Sequence, residues 1–257
     1  MKTESVKSIE VILKTAGIDE TKLLIQQYES DERAGVQSLL DRFKRRIKKE
    51  EAELRRLDEM SLFEKGCLSR GEELIAGVDE VGRGPLAGPV VAAAVILPAG
   101  WAPRGINDSK KVSEKMRDKL YSQIMDNAIS VSVSMISPPE IDRINIYQAS
   151  KAAMVEAVEG LSVTPHHVLI DAMTIDINIA QTKIIKGDEK SISIAAASIV
   201  AKVTRDQYMK KLHEDYPQYG FAKNMGYGTA EHLQGLKEYG PTEEHRKSFA
   251  PVQAYSS

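Results

Sequence analysis

Residues 77–90 read GVDEVGRGPLAGPV, and the chemistry in them begins with two adjacent carboxylates, Asp79 and Glu80, at the end of an apolar run. Two like charges at the mouth of a hydrophobic strand are costly unless a cation offsets them, and a divalent metal ion is the natural partner. Arg83, flanked by glycines, follows at once. The stretch has the G-x-x-x-x-G spacing of a P-loop, but Arg83-Gly84 stands where Lys-Ser/Thr is needed. Gly82, Gly84 and Ala87 also fit the dinucleotide pattern G-x-G-x-x-A. That fingerprint needs a helix next, whereas Pro85, Gly88 and Pro89 lead into the strand-like VVAAAVIL, and two carboxylates would crowd a pyrophosphate. The remaining local reading is a Gly-rich turn with surface acids.

Two more acids stand at comparable places. Asp171 ends HHVLID after an apolar strand, and Asp188 ends KIIKGD ahead of a helix. Acids at strand ends and at a strand-to-helix junction can gather on one rim of a sheet, as a two-metal phosphodiesterase site requires. Taken singly, each is an ordinary cap or turn acid. Lys110, Lys111, Lys186, Lys190, Lys202 and Arg205 surround these motifs in sequence and suit phosphate neutralisation as a group, although a solvated side chain is the plainer reading of any one of them, while Asp206 suits a helix salt bridge. The five histidines share no metal-ligand spacing and read as surface or packing residues.

The elements that must carry these residues alternate from Glu73 onward. Runs 74–79, 88–97, 131–136, 166–172 and 182–188 are β-rich, and helical stretches lie at 113–127, 139–160 and 192–212. This alternation predicts an α/β layer structure, with the first two runs forming an antiparallel hairpin. Before Glu73 the chain reads as helices. Ile9, Ile12 and Leu13 lead to Gly17 as a C-cap, Asp19 caps a second helix, and a longer third starts near Ser30 or Asp31. The third carries RFKRRIKKEEAELRR, in which Arg46 with Glu50 and Lys49 with Glu53 sit one turn apart. Residues 1–72 hold 15 basic and 15 acidic side chains, so the segment is patterned rather than basic, and a solvated helix face outweighs a nucleic-acid patch.

At 257 residues a sizeable core is attainable, and 42% hydrophobic with 28% charged residues is ordinary for a globular protein. No apolar run approaches a membrane span; the longest, Val90 to Pro98, suits a buried strand. The N-terminus lacks the features of a secretory signal, so the expected location is the cytoplasm. The single cysteine, Cys67, excludes an internal disulfide and a cysteine-based zinc site, and reads as a packing residue. A net charge of −2 does not announce a polyanion partner, though a nuclease that recruits metal ions needs only local basic patches.

DEVGRG, NDSKK (107–111), LIDA (169–172), KGDEKSISIAAASIVAKVTRD (186–206) and YGFAKNMGYGT (219–229) resemble ribonuclease HII in content and in order, over residues 74 to about 252. The resemblance implies an α/β ribonuclease H-like fold, a mixed β-sheet flanked by helices. A helical extension over 1–70 would precede a catalytic domain, 71–257, that ends in helices. It implies that Asp79, Glu80, Asp171 and Asp188 are catalytic and bind two divalent ions, Mn²⁺ or Mg²⁺. Gly82, Arg83 and Gly84 would recognise the ribonucleotide, their backbone close to its 2′-hydroxyl, and Tyr227 would stack on the deoxyribose that follows. Ser109, Lys110 and Lys186 complete the expected substrate contacts. The implied activity is hydrolysis of the RNA strand of RNA/DNA hybrids and incision 5′ to single ribonucleotides in duplex DNA, by a monomer, giving 5′-phosphate and 3′-hydroxyl ends. Ala172 departs from the pattern, which often has glycine there. The related ribonuclease HIII favours longer hybrids and has a different N-terminal domain; Tyr227 in GYGT and the helical N-terminus argue against it. A non-catalytic nucleic-acid-binding module using the basic third helix, and a nicotinamide enzyme, are the rivals from other classes.

Overall fold

The computed structural model describes residues 4–255 and divides into two compact units, Met1–Asp58 and Glu59–Ser257. In the first, helices α1 (Val6–Thr15) and α2 (Ile18–Tyr28) pack with the opening turns of α3 (Ala34–Met60) around Ile9, Leu13, Ile25, Val36, Leu40 and Phe43. Gly17 is not the C-cap that its residue type suggests. Its φ of −66° is ordinary, Ala16 closes α1 by donating its N–H to Ile12, and Gly17 opens α2 as N-cap, with Asp19 inside the first turn. The basic stretch of α3 is partly neutralised inside this unit. Arg42 pairs with Glu10 (2.7 Å), Lys44 with Glu29 (3.0 Å), and the Arg46 guanidinium lies over the Phe43 ring.

The second unit begins with α4 (Leu62–Leu68) and builds one five-stranded sheet, β1 (Ile75–Val81), β2 (Val90–Ile96), β3 (Ser130–Ile136), β4 (His167–Asp171) and β5 (Ala180–Ile184), in the order β3-β2-β1-β4-β5. β1–β2 and β2–β3 are antiparallel, and β1–β4 and β4–β5 parallel, so the expected hairpin and mixed sheet are both present. The helices are α5 (Glu114–Asn127), α6 (Pro138–Ile144), α7 (Ile146–Glu159), α8 (Ile192–Asp215), and three short ones, α9 (Phe221–Asn224), α10 (Ala230–Tyr239) and α11 (Ala250–Gln253). The helix expected over 139–160 is two, because Asn145 turns to φ 69° and its side chain accepts from the N–H groups of Tyr147 and Gln148, starting α7 afresh. The strand expected to run to Asp188 stops at Ile184, and Gly187–Glu189 form a single 3₁₀ turn before α8.

Strand alternation sorts the core into two faces. Ala76, Val78, Ala92, Ala94, Val168 and Ile170 pack with Ala149, Ala153 and Met154 of α7. Ile75 and Leu169 face the other way, toward Ile194 of α8. Close approach of α8 to β1 requires Gly77: a Cβ there would lie 2.0 Å from the Ser193 carbonyl carbon. Among the described residues, no helix is long and apolar enough to cross a membrane.

Candidate active site

Asp79 shares the parity of Ile75 and Gly77, and Asp171 that of Leu169, so both carboxylates project on the α8 side of the sheet. The parallel register pairs Val78 with Ile170, which sets Asp79 and Asp171 level at the ends of adjacent strands. Asp171 is fixed by the backbone of the turn that follows β5: the Gly187 N–H donates to its Oδ1 at 2.7 Å, and this brings Asp188, the next residue, to the same rim. Glu80, one residue beyond Asp79, ends the set. The Glu80 N–H donates to Asp79 Oδ1 (2.8 Å), and Arg83 Nη1 lies 3.4 Å from Glu80 Oε1.

The electrostatics follow from this crowding. Burial, then the charges of Glu80, Asp171 and Asp188, push the Asp79 carboxyl well above its ordinary range, against a lowering hydrogen bond with Ser198. Burial raises Glu80 to about 7, opposed by Arg83 and reinforced by Asp171. Burial, Asp108 and Asp171 raise Asp188 to about 6, while Lys110 pulls it down. Partial burial would lower the Lys110 ammonium, yet Asp108, Asp79 and Asp188 together hold it above its usual value. With Asp79, Glu80 and Asp188 all held above their ordinary range, the four acids form an all-oxygen donor set short of positive charge. This is the chemistry that a hard divalent cation satisfies, so the residues present fit such an ion.

Beside the rim runs the loop 82–89. Gly82 (φ 92°) has no room for a side chain: a Cβ would meet Arg205 Nε at 2.3 Å. Two buried arginines hold this loop by its carbonyls. Arg246 donates to Gly82, Arg83 and Gly88, and Arg205 to Ala87, Pro89 and, across the loop, Met225. Arg205 therefore does not neutralise phosphates as its place among lysines suggests; it is 1% exposed and spent on backbone. Burial lowers Arg205 to about 10 and Arg246 to about 9, which still leaves both charged at neutral pH. Arg83 itself stays exposed. Gly84 faces Tyr227, since a Cβ on it would sit 3.5 Å from the tyrosine ring. Tyr227 is half-exposed, and its carbonyl lies 3.0 Å from Nδ1 of the buried His232, whose Nε2 lies 3.0 Å from that of His245.

Ser109 is buried, with its hydroxyl hydrogen-bonded to Ser198 (3.0 Å), the residue that also hydrogen-bonds Asp79. Lys186 is exposed in a left-handed turn before Gly187. Lys111 pairs with Glu189 (2.9 Å), and Lys202 with Asp206 (2.6 Å), the helix salt bridge expected of Asp206. Three contributors escaped the sequence reading. Asp108 is buried, accepts the Lys110 N–H (2.9 Å) and raises Asp188. Ser198 touches Asp79 from within α8, and Arg246 braces the glycine loop. Asp108 stands in the NDSKK motif and was open to notice; a serine inside a regular helix and an arginine in a loop between helices carried no signal.

Comparison with known proteins supplies names. The family model described as Ribonuclease HII matches residues 76–252, and that of the Ribonuclease HII N-terminal domain matches residues 5–68. A ribonuclease HII of Geobacillus sp. (strain WCH70) is 51% identical over 98% of this chain and 91% of its own length. The ribonuclease HII of Bacillus subtilis (strain 168) is 51% identical over 99% of this chain and all of its own. Among solved structures, ribonuclease H2 from Pyrococcus horikoshii OT3 superposes with a TM-score of 0.62 at 27% identity, covering 71% of this chain and 96% of that one.

Proposed function

The chain belongs to the ribonuclease HII family and is a metal-dependent endoribonuclease of the ribonuclease H type; from that premise we propose that it incises duplex DNA 5′ to a single embedded ribonucleotide, besides cutting the RNA strand of RNA/DNA hybrids. Asp79, Glu80, Asp171 and Asp188 hold two divalent ions, Mn²⁺ or Mg²⁺, which when bound supply an activated water and charge neutralisation at the departing 3′-oxygen. The products carry 5′-phosphate and 3′-hydroxyl ends. The enzyme works as a cytoplasmic monomer, with residues 71–257 catalytic and 1–70 an accessory extension.

The observation that carries this reading is the adjacency of the carboxylate rim, the loop of Gly82, Arg83 and Gly84, and the half-exposed Tyr227 ring against Gly84. The braced loop presents a fixed backbone on which a ribose 2′-hydroxyl can be read, because a hydroxyl that donates and accepts needs polar groups that do not move. Tyr227 offers an apolar plate for a sugar that lacks that hydroxyl. Lys110, kept protonated by Asp108, Asp79 and Asp188, is placed for a phosphate. Ser109 acts through Ser198, which steadies Asp79, and Lys186 lies exposed at the mouth of the Asp188 turn. The test is a duplex DNA with one ribonucleotide, incubated with and without EDTA. Incision 5′ to the ribonucleotide that EDTA abolishes is expected; good cleavage of a long hybrid with none at the single ribonucleotide would overturn the junction-specific reading.

A further inference from the structure

At the start of β4, the opposite end from Asp171 and about 13 Å of strand away, three ligand-type side chains meet. Cys67 comes from the last turn of α4, Glu72 from the turn after it, and His167 is the first residue of β4. The Cys67 Sγ, a Glu72 carboxylate oxygen and a His167 ring nitrogen all lie within 4.8 Å of one another, with Nδ1 3.3 Å from Glu72 Oε1. Cys67 and His167 are buried, and Cys67 packs with Ile75, Leu169, Ile184 and Ile194.

Two further observations point to a cation. The Arg70 guanidinium already bridges the cluster, with Nη2 2.6 Å from Glu72 Oε2 and 3.3 Å from Cys67 Sγ. Arg70 is 53% exposed, so it can leave and open the position to solvent. On the far side, His167 Nε2 lies 2.8 Å from Thr182 Oγ1. Facing a carboxylate, Nδ1 carries the proton that it donates to Glu72 in the metal-free protein; an ion that displaces that proton leaves Nε2–H to donate to Thr182, the outer hydrogen bond that orients a metal-ligating imidazole.

We propose that Cys67, Glu72 and His167 form a second metal site, distinct from the carboxylate rim, for a borderline divalent transition ion of the Zn²⁺ class. One thiolate, one imidazole and one carboxylate are a donor set that such ions take in fourfold coordination, and water or Arg70's vacated place supplies the fourth position. Binding releases the thiol proton and the Arg70 contact. The exclusion of a cysteine-based zinc site, drawn from the single cysteine, does not hold for one thiolate joined by nitrogen and oxygen ligands. Bound metal would tie α4 and the following turn to the sheet.

Co²⁺ separates this site from the catalytic one, because the rim holds no sulfur. Titrating the metal-free full-length protein with Co²⁺ is expected to produce a near-ultraviolet thiolate-to-cobalt charge-transfer band that one equivalent of Zn²⁺ abolishes. Cys67→Ser should lose the band while keeping Mn²⁺-supported activity, the control for folding. Arg70→Ala should tighten Zn²⁺ binding by removing the competing cation, and Thr182→Val should weaken it by roughly 10-fold. No charge-transfer band in the wild type, or one that survives in Cys67→Ser, overturns the proposal.

Discussion

The carboxylate rim and the glycine loop beside it solve opposite electrostatic problems. At the rim, four acids are packed where burial and mutual repulsion hold Asp79, Glu80 and Asp188 above their ordinary pKa values, so the protein alone leaves them unbalanced. In the loop, the carbonyls of Gly82, Arg83, Ala87, Gly88 and Pro89 each receive a buried guanidinium N–H, so the backbone is braced by charges that the protein itself supplies. The difference teaches which part the protein leaves short of positive charge and which part it braces with its own. An unbalanced cluster has room for a cation; a braced loop holds a shape.

The largest effect that can break this contrast is at Asp79. Asp79→Asn should lower turnover at least about 1,000-fold, or about 4 kcal/mol in the barrier, by weakening the hold on metal. It should also raise the melting temperature of the metal-free protein, because a repelled, buried charge is gone. A variant that stays active, or that loses apo stability, would show the rim is not held in repulsion.

Arg246→Met reverses the expectation. Stripping the carbonyls of Gly82, Arg83 and Gly88 of their donor should cost roughly 3 kcal/mol, at 1–3 kcal/mol for each buried group left unpaired. Urea denaturation measures it, and a loss under about 1 kcal/mol would mean the loop does not depend on its brace.

A smaller effect follows from pH. With folded-state values of about 7 for Glu80 and about 6 for Asp188, against ordinary values of 4.5 and 3.8, the folded metal-free protein binds protons more tightly than the unfolded chain. Stability from these groups is therefore full below about pH 4 and lost progressively as pH rises to about 7. Calorimetry of the apo protein should show its melting point falling by roughly 5 °C across that window, and saturating Mn²⁺ should flatten the slope.

The smallest effect is expected at Ala172, which adopts φ 49° directly after Asp171. An L-residue there costs about 1–2 kcal/mol, and glycine returns about 0.5–1 kcal/mol of that through the entropy of the unfolded chain. Ala172→Gly should therefore stabilise by about 0.5 kcal/mol without changing turnover.

Much of this arrangement was legible in the sequence because its signals are local. An apolar run that ends in an acid announces both a strand and the acid at its tip, which is why β1 and β4 with Asp79 and Asp171 could be read directly. Asp188 was read as well, although the strand before it stops at Ile184 and a 3₁₀ turn carries the acid. What escaped depends on burial, which a basic residue in a regular helix does not disclose. Arg205 sits among lysines in sequence but points inward, and Arg246 lies in a C-terminal turn with no motif around it. Asn145 and Gly17 were misjudged for a related reason: one residue's dihedral decides where a helix is interrupted, and composition averages over it.

The parallel pairing of β1 with β4 carries one last implication. Its partners lie about ninety positions apart, and a shift of one step would send the acids at both strand tips to the α7 face. The arrangement of the acids thus requires that the most remote segments of the sheet pair in the right alignment. Recovery of cleavage during refolding would time the closing of that seam.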